Sequence, residues 1–554
     1  MLFLTHPKIM IAIKRILATT LPILVLTSVL APAQRQKAPP AATAKAADLI
    51  EASNLRAELS FLASDGLAGR NAGSVEDHIA TDYIASEFMK LGLKPMGDNG
   101  TYFQELTIIT ADADREHMSL RAKIGDADYV PFQFGSDFRW FRQSLHPANT
   151  TAPLTFVGYG ISAPEYGYDD FHGVDVKGRI VIVLGREPRA EDPASKFMGT
   201  WDTYHAFYWS KIEDLRKRGA AGILFVQDRT PRAVKTTVAS SPRPARGPNY
   251  ALAGEMYDLP VFTISRETAD KLIGKSVDSL QEQIDRTLTP ASFEVKGTVV
   301  MLGKAVTNLQ QHKGRNVLAM IEGSDPKLKD EVVIVTAHHD HMGAENGHTY
   351  YGADDDASGV AGLIEIARAF VQGGVHPRRS VLFISYDGEE RIYLGSYFYV
   401  THPVVPLNRT VATLNMDMIG RDENDANWPV PADGNVNMVN ILGTRYNPGL
   451  REAIERANRG IGLKLDYKMD TVDPDVLWSR SDHIWFATLH IPQMEFQTGL
   501  HPDYHTENDT WQRINYPKLT KIVKLAFLAT ADVANADKRI EFIPAGAPPA
   551  QTAP

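Results

Sequence analysis

The chain has 554 residues, of which 44% are hydrophobic and 23% charged, enough apolar material for two or three cores and the balance of a folded protein. Its 58 Lys and Arg stand against 67 Asp and Glu, an acidic balance that argues against a nucleic-acid-binding face. There is no cysteine, so disulfides, thiolate metal sites and cysteine nucleophiles are excluded, and any metal must rest on His, Asp and Glu.

At the N-terminus, Lys8, Lys14 and Arg15 precede the apolar run ILATTLPILVLTSVL. APA follows, a small-x-small cleavage pattern closing at Ala33. Residues 1–33 are predicted to be a signal peptide, with an uncleaved anchor as the alternative, and the expected location is secreted or periplasmic. Without a cysteine after the run, there is no site for a lipid anchor. No later segment is long and apolar enough to span a bilayer, so no stable membrane anchor is expected after cleavage. Residues 34–46, QRQKAPPAATAKA, read as a flexible linker, and 537–554 as a flexible tail.

Three blocks lie between. In residues 47–145, apolar side chains at Ile79, Tyr83, Ile84, Phe88 and Leu91 recur at three- and four-residue steps and predict a helix over 75–91. In 150–292, short β-branched runs such as GRIVIVLG and AGILFVQD read as strands, and no group of His, Asp and Glu there has a spacing that suggests chemistry. In 298–536, strands and helices alternate as in an α/β sheet. EVVIVTA is a strand buried on both faces, GVAGLIEIARAFV a helix, SVLFISY and TVATLNMDMIG further strands, and a helix near 517–535 closes the block.

Each cluster of possible ligands follows one of these strands, where open α/β sheets place their sites. TAHHDHMG ends the first strand; if the strand continues, His338 and Asp340 share one face and His339 and His341 the other. An Asp two residues along is a natural acceptor for the second N–H of a metal-binding imidazole. YGADDDASGV sets three aspartates before a helix; one suffices as a cap, and three invite a dication. SYDGEERIYLGS carries adjacent glutamates, one able to bind metal and the other to act as base on a water acidified by it. NMDMIGR places Asp417 in apolar surroundings, with Arg421 as an alternative partner, and HPDYHTENDT offers two histidines of which one is expected to be a ligand. His, Asp, Glu, Asp and His suit zinc, with manganese or cobalt as possible substitutes. Five ligands exceed one open catalytic zinc, whereas two metals sharing a carboxylate, roughly 3.5–4 Å apart, account for them.

With AHHDHMG, GADDDASG, DGEER…LGS, NMDMIG, SDH and DYHTENDT in this order, residues 298–536 resemble peptidase family M28. That family contains zinc aminopeptidases, glutamate carboxypeptidase, transferrin receptor and glutaminyl cyclase. The 47–145 block resembles its N-terminal segment and the 150–292 block the protease-associated domain inserted in many members. The implied fold class is α/β: a mixed, largely parallel central sheet flanked by helices, zinc-exopeptidase-like, with a smaller inserted β-rich α/β domain. The resemblance implies two Zn2+: His338 and Asp417 on one, Glu390 and His505 on the other, Asp355 bridging, Glu389 as general base and Asp340 behind His338. It implies a peptide substrate and hydrolysis by zinc-bound hydroxide, with an aminopeptidase expected first. A carboxypeptidase on the same site, a glutaminyl cyclase and a non-catalytic binding protein are the alternatives. Two departures from the family pattern stand out: Ile392 and Tyr393 replace a common Gly-Leu, and Trp478 replaces a tyrosine that assists the oxyanion in some members.

Overall fold

The computed structural model describes residues 40–544, except 142–143, 146, 200–201, 230–247, 254–258, 426–427, 433 and 471–476. The expected signal peptide, the start of the linker and residues 545–554 lie outside the described residues. No described helix is long and apolar enough to cross a membrane.

The larger of the two main sheets is mixed and has ten strands. Its centre is four parallel strands in the order Ser380–Tyr386, Val332–His338, Thr410–Met416 and Gln493–Gln497. Every residue of these strands is buried, which is why they read as continuous apolar runs instead of alternating ones. Antiparallel strands extend both sides, including Phe103–Ala113 and Val306–Ile321 on one and Met438–Leu442 on the other. Helices Val75–Lys90, Ser358–Gln372 and Tyr516–Asn535 pack on one face through Ile84, Leu363 and Phe527. Tyr399 and Phe486 cover the other face with Leu382 and Ile384. From Val332–His338 the chain crosses first to Ser380–Tyr386 on one side and then to Thr410–Met416 on the other. This reversal opens a crevice beyond the C-terminal end of Val332–His338.

A second, eight-stranded sheet is built from Ser119–Ile124 through Phe293–Lys304, and so takes in more chain than the 150–292 block. Its strand Phe293–Lys304 runs on past Ala305 into Val306–Ile321 of the first sheet. Asn249–Leu252 leaves the block to pair with Phe103–Ala113.

Three local expectations change. Ala41–Ala47, which overlaps the end of the expected linker, is a helix with Ala46 and Ala47 buried, Ala46 packing closely on Gly373. Residues 537–544, expected as tail, dock in part: the Ile543 N–H donates to the Tyr446 carbonyl at 2.8 Å, and Phe542 stacks on Tyr446 at 5.2 Å. In helix Val75–Lys90, Ile84 and Phe88 are buried as expected, but Ile79 is 43% exposed and Asp77 is fully buried.

Candidate metal centre

All the expected ligands meet at the C-terminal ends of the four parallel strands. His338 is the last residue of its strand, Asp417 follows Met416, the glutamate pair lies three and four residues past Tyr386, and His505 sits on the loop after Gln497. Asp355 precedes helix Ser358–Gln372.

The three aspartates have separate tasks. Asp356 accepts the backbone N–H of His338, Gly359 and Met418, each at 3.1 Å, and so ties three segments of the site together. A side chain at Gly359 would meet the Asp356 carboxylate and the Met416 carbonyl at 2.6 Å, so this staple needs glycine. Asp354 accepts from Gly420 N–H at 2.6 Å and lies 3.2 Å from His501. Asp355 alone turns into the crevice. One of its carboxylate oxygens is 3.2 Å from His338 Nε2; the other is 3.0 Å from His505 Nε2.

Around each oxygen lies a separate donor group. His338 Nε2 is 3.7 Å from Asp417 and 3.9 Å from Glu389. His505 Nε2 is 3.2 Å from Glu390 Oε1. His338, Glu389 and Asp417 form one compact set of potential ligands and His341, Asp355 and Glu390 another. His341 Nδ1 is 2.7 Å from Glu390 Oε1, so His341 belongs at the site and not on an opposite face. The strand stops at His338, and alternation no longer applies beyond it. Asp340 accepts the backbone N–H groups of Glu389 and Glu390 at 2.9 and 3.3 Å, while His338 Nδ1 lies 3.1 Å from the Asp340 carbonyl and 3.7 Å from its carboxylate. Asp340 thus positions both His338 and the glutamate pair.

The donor set fits dications. His341 Nε2 is buried with no hydrogen-bond partner, and His338 Nε2, His341 Nδ1 and Glu390 Oε1 are buried facing other members of the donor set at 2.7 to 3.9 Å. Burial alone would lower His338, yet Glu389, Asp340, Asp355 and Asp417 hold its pKa well above the ordinary value. His505, depressed by burial but facing Glu390 and Asp355, is pushed up to about 9. Burial would raise Glu390, but His505 and His341 hold it at about 2. These shifts share one cause, carboxylates that demand nearby positive charge, and a bound cation would meet that demand and favour neutral imidazoles. Burial drives Glu389 well above its normal range, with Asp417 and Glu390 adding to the rise and His338 opposing it.

Asp355, Glu389 and Asp417 open onto a cavity walled by Met418, Leu477 and Leu500, with Arg480, Gln497 and Tyr504 as its polar lining. Arg480 donates to the Tyr504 hydroxyl at 2.8 Å, and the Tyr504 ring stacks on His505 at 3.8 Å. Sequence reasoning passed over Arg480 and Tyr504 and set His341 on the opposite face, although each lies within or beside a motif. Trp478 is buried against Phe207 and does not line this cavity. Ile392 and Tyr393 hold positive φ of 79° and 56°, a conformation that glycine adopts without strain. Tyr393 donates to the Ser479 carbonyl at 3.1 Å.

Residues 316–530 match the sequence pattern of Peptidase family M28. That segment holds the four parallel strands and every expected ligand. Over 227 residues the chain is 36% identical to a probable glutamate carboxypeptidase of Zea mays, covering 36% of this chain and 27% of that protein. Over 106 residues it is 31% identical to a vacuolar membrane protease of Tuber melanosporum, covering 18% of this chain and 10% of the other. The matches thus span about a quarter and a tenth of those relatives. An aminopeptidase from Aneurinibacillus sp. strain AM-1 superposes with a TM-score of 0.43 at 18% identity, over 90% of this chain and 97% of that one. A zinc aminopeptidase from Bacillus subtilis gives 0.42 at 19%, over 87% and 94%.

Proposed function

We propose that this M28 chain is a secreted or periplasmic metallo-exopeptidase with a co-catalytic pair of zinc ions, and that it removes N-terminal residues from peptides. The observation that carries the reading is the Asp355 carboxylate, one oxygen facing His338 and Asp417 and the other facing His505 and Glu390. His338 and Asp417 would hold one zinc, Glu390 and His505 the other, with Asp355 between them and His341 within reach of the second. Bound zinc would polarise the scissile carbonyl and acidify the attacking water. Glu389, placed by Asp340 through its backbone N–H, takes the proton of that water and returns it to the leaving amine. Met418, Leu477 and Leu500 wall the reacting atoms and limit their contact with water. The complete donor set separates this reading from a non-catalytic binding protein, and its two halves separate it from a one-zinc cyclase.

Carboxypeptidase action is the second reading, favoured by one feature. The Arg480 guanidinium in the cavity wall has the planar fork that pairs with a carboxylate.

Mass spectrometry of a defined peptide mixture incubated with the mature protein, with and without chelator, tests both. Stepwise loss from the N-terminus that chelator stops supports the first reading, and trimming from the C-terminus moves the assignment to the second. Intact peptides beside a protein that holds two zinc ions would overturn both. Protein recovered outside the cytoplasm that begins at Gln34 would support export.

A further inference from the structure

Behind the catalytic crevice lies a second donor cluster that the peptidase reading does not use. Asp77 from helix Val75–Lys90, His339 just past strand Val332–His338 and Asp387 just past Ser380–Tyr386 bring one donor atom each within 4.8 Å of one another. All three residues are completely buried.

Their hydrogen bonds divide in one consistent way. Asp77 Oδ2 accepts from the Gly73 N–H at 3.3 Å, Asp387 Oδ2 from the Arg315 N–H at 2.9 Å, and His339 Nδ1 contacts the Ser385 hydroxyl at 2.9 Å. The opposite atoms, Asp77 Oδ1, Asp387 Oδ1 and His339 Nε2, have no hydrogen-bond partner outside the cluster, and within it the Asp77 and Asp387 carboxyls face each other. His339 Nε2 is aimed at Asp77 Oδ1, 3.4 Å away. Each far atom is thus pinned and each near atom turned inward, the pattern in which outer hydrogen bonds orient metal ligands. Among the described residues no lysine or arginine forms an ion pair with either carboxylate, and the Arg315 guanidinium is taken by Thr81, the His78 carbonyl and Asp82. Arg315 and Arg70 act on Asp77 only from a distance, and two buried carboxylates with no cation in contact are costly.

We propose that Asp77, His339 and Asp387 form a third, structural metal site, distinct from the catalytic pair, that takes a transition-metal dication. One imidazole nitrogen with carboxylate oxygens selects zinc over calcium or magnesium, which prefer oxygen alone. The ion clamps helix Val75–Lys90 to the ends of two central strands. With no described opening to solvent at these residues, it has a structural role and takes no part in turnover.

Two measurements test the site. In crystals of the full wild-type chain grown with zinc, an anomalous difference map at the zinc edge is expected to show a peak enclosed by Asp77, His339 and Asp387. Elemental mass spectrometry of the purified chain is expected to count three zinc ions, falling by one in His339→Gln and by one in Asp387→Asn. His505→Ala lowers the count through the catalytic pair alone, so its loss and that of His339→Gln add if the two sites are separate. A wild-type map with no peak at this position would overturn the proposal even if a variant fails to fold. So would zinc counts that neither His339→Gln nor Asp387→Asn changes, leaving a proton between the carboxyls as their link.

Discussion

Glu389 and Asp340 show how much of the site is set by single contacts. Glu389→Gln keeps the side-chain volume and removes the base, so kcat should fall by about 10²–10⁴-fold. Zinc content, measured on the same preparation, should not change. Asp340→Ala removes the acceptor shared by the Glu389 and Glu390 N–H groups and the carboxylate 3.7 Å from His338 Nδ1, leaving that ring only the Asp340 carbonyl. Loss of an outer-shell carboxylate of this type typically weakens metal binding or activity about 10–100-fold. Competition against a chromophoric chelator would read that loss, and an Asp340→Ala protein with unaltered zinc affinity and kcat would refute the role given to Asp340.

At the scale of elements, Arg70 joins segments that sequence reading treated separately. Fully buried, its guanidinium donates to the carbonyls of His339 at 2.7 Å, Tyr351 at 2.8 Å, Gly352 at 2.9 Å and Leu62 at 2.5 Å. It therefore sets the His338 strand end against the loop that leads to Asp355. Arg70→Met should cost about 3 kcal/mol or more in urea unfolding, since several buried carbonyls lose their donor. Arg70→Lys should recover only part of this, because an ammonium lacks the planar fork. In the second sheet, Asp170 accepts from Tyr168 at 2.7 Å and the Ile161 N–H at 3.2 Å, but burial dominates and pushes its pKa up to about 7. A carboxyl raised on folding binds its proton more tightly in the native state. Its contribution is complete below the unfolded value near 3.8 and is lost as pH rises through about 7. Asp170→Asn should flatten this part of the stability profile, with a slope change of up to about 1.4 kcal/mol per pH unit between those values, read from unfolding at several pH values.

Across the whole molecule, the two sheets are tied by continuous chain and by side chains. Phe293–Lys304 and Val306–Ile321 are nearly one strand. Tyr204 from the second-sheet region lies 2.5 Å from His490, and Tyr397 donates to Glu213 at 3.1 Å. Deleting 150–292 would strip Phe138–Trp140 of its partner Val261–Ile264 and Phe293–Lys304 of Ala148–Phe156. The truncated chain should be insoluble or aggregated in size-exclusion chromatography, since unpaired strand edges associate. A monomeric product with native-like circular dichroism would show that the block folds as a true insertion.

The sequence by itself determined the strand-end pattern and the chemistry of the donor set. Continuous apolar runs mark doubly buried strands, and His, Asp and Glu placed just after them can only gather at one edge of a parallel sheet. What the tertiary structure decided was which of several equivalent residues turns inward. Asp355 faces the crevice because Asp354 and Asp356 are held by Gly420, His338 and Met418, and His505 faces it because His501 lies against Asp354. His341 returns to the site because the strand ends before it, and Arg70 and Asp77 reach the strand ends from an N-terminal segment more than 250 residues away in sequence. Periodicity reports a local face, whereas these contacts depend on where distant backbone passes, and no short window of sequence contains that information.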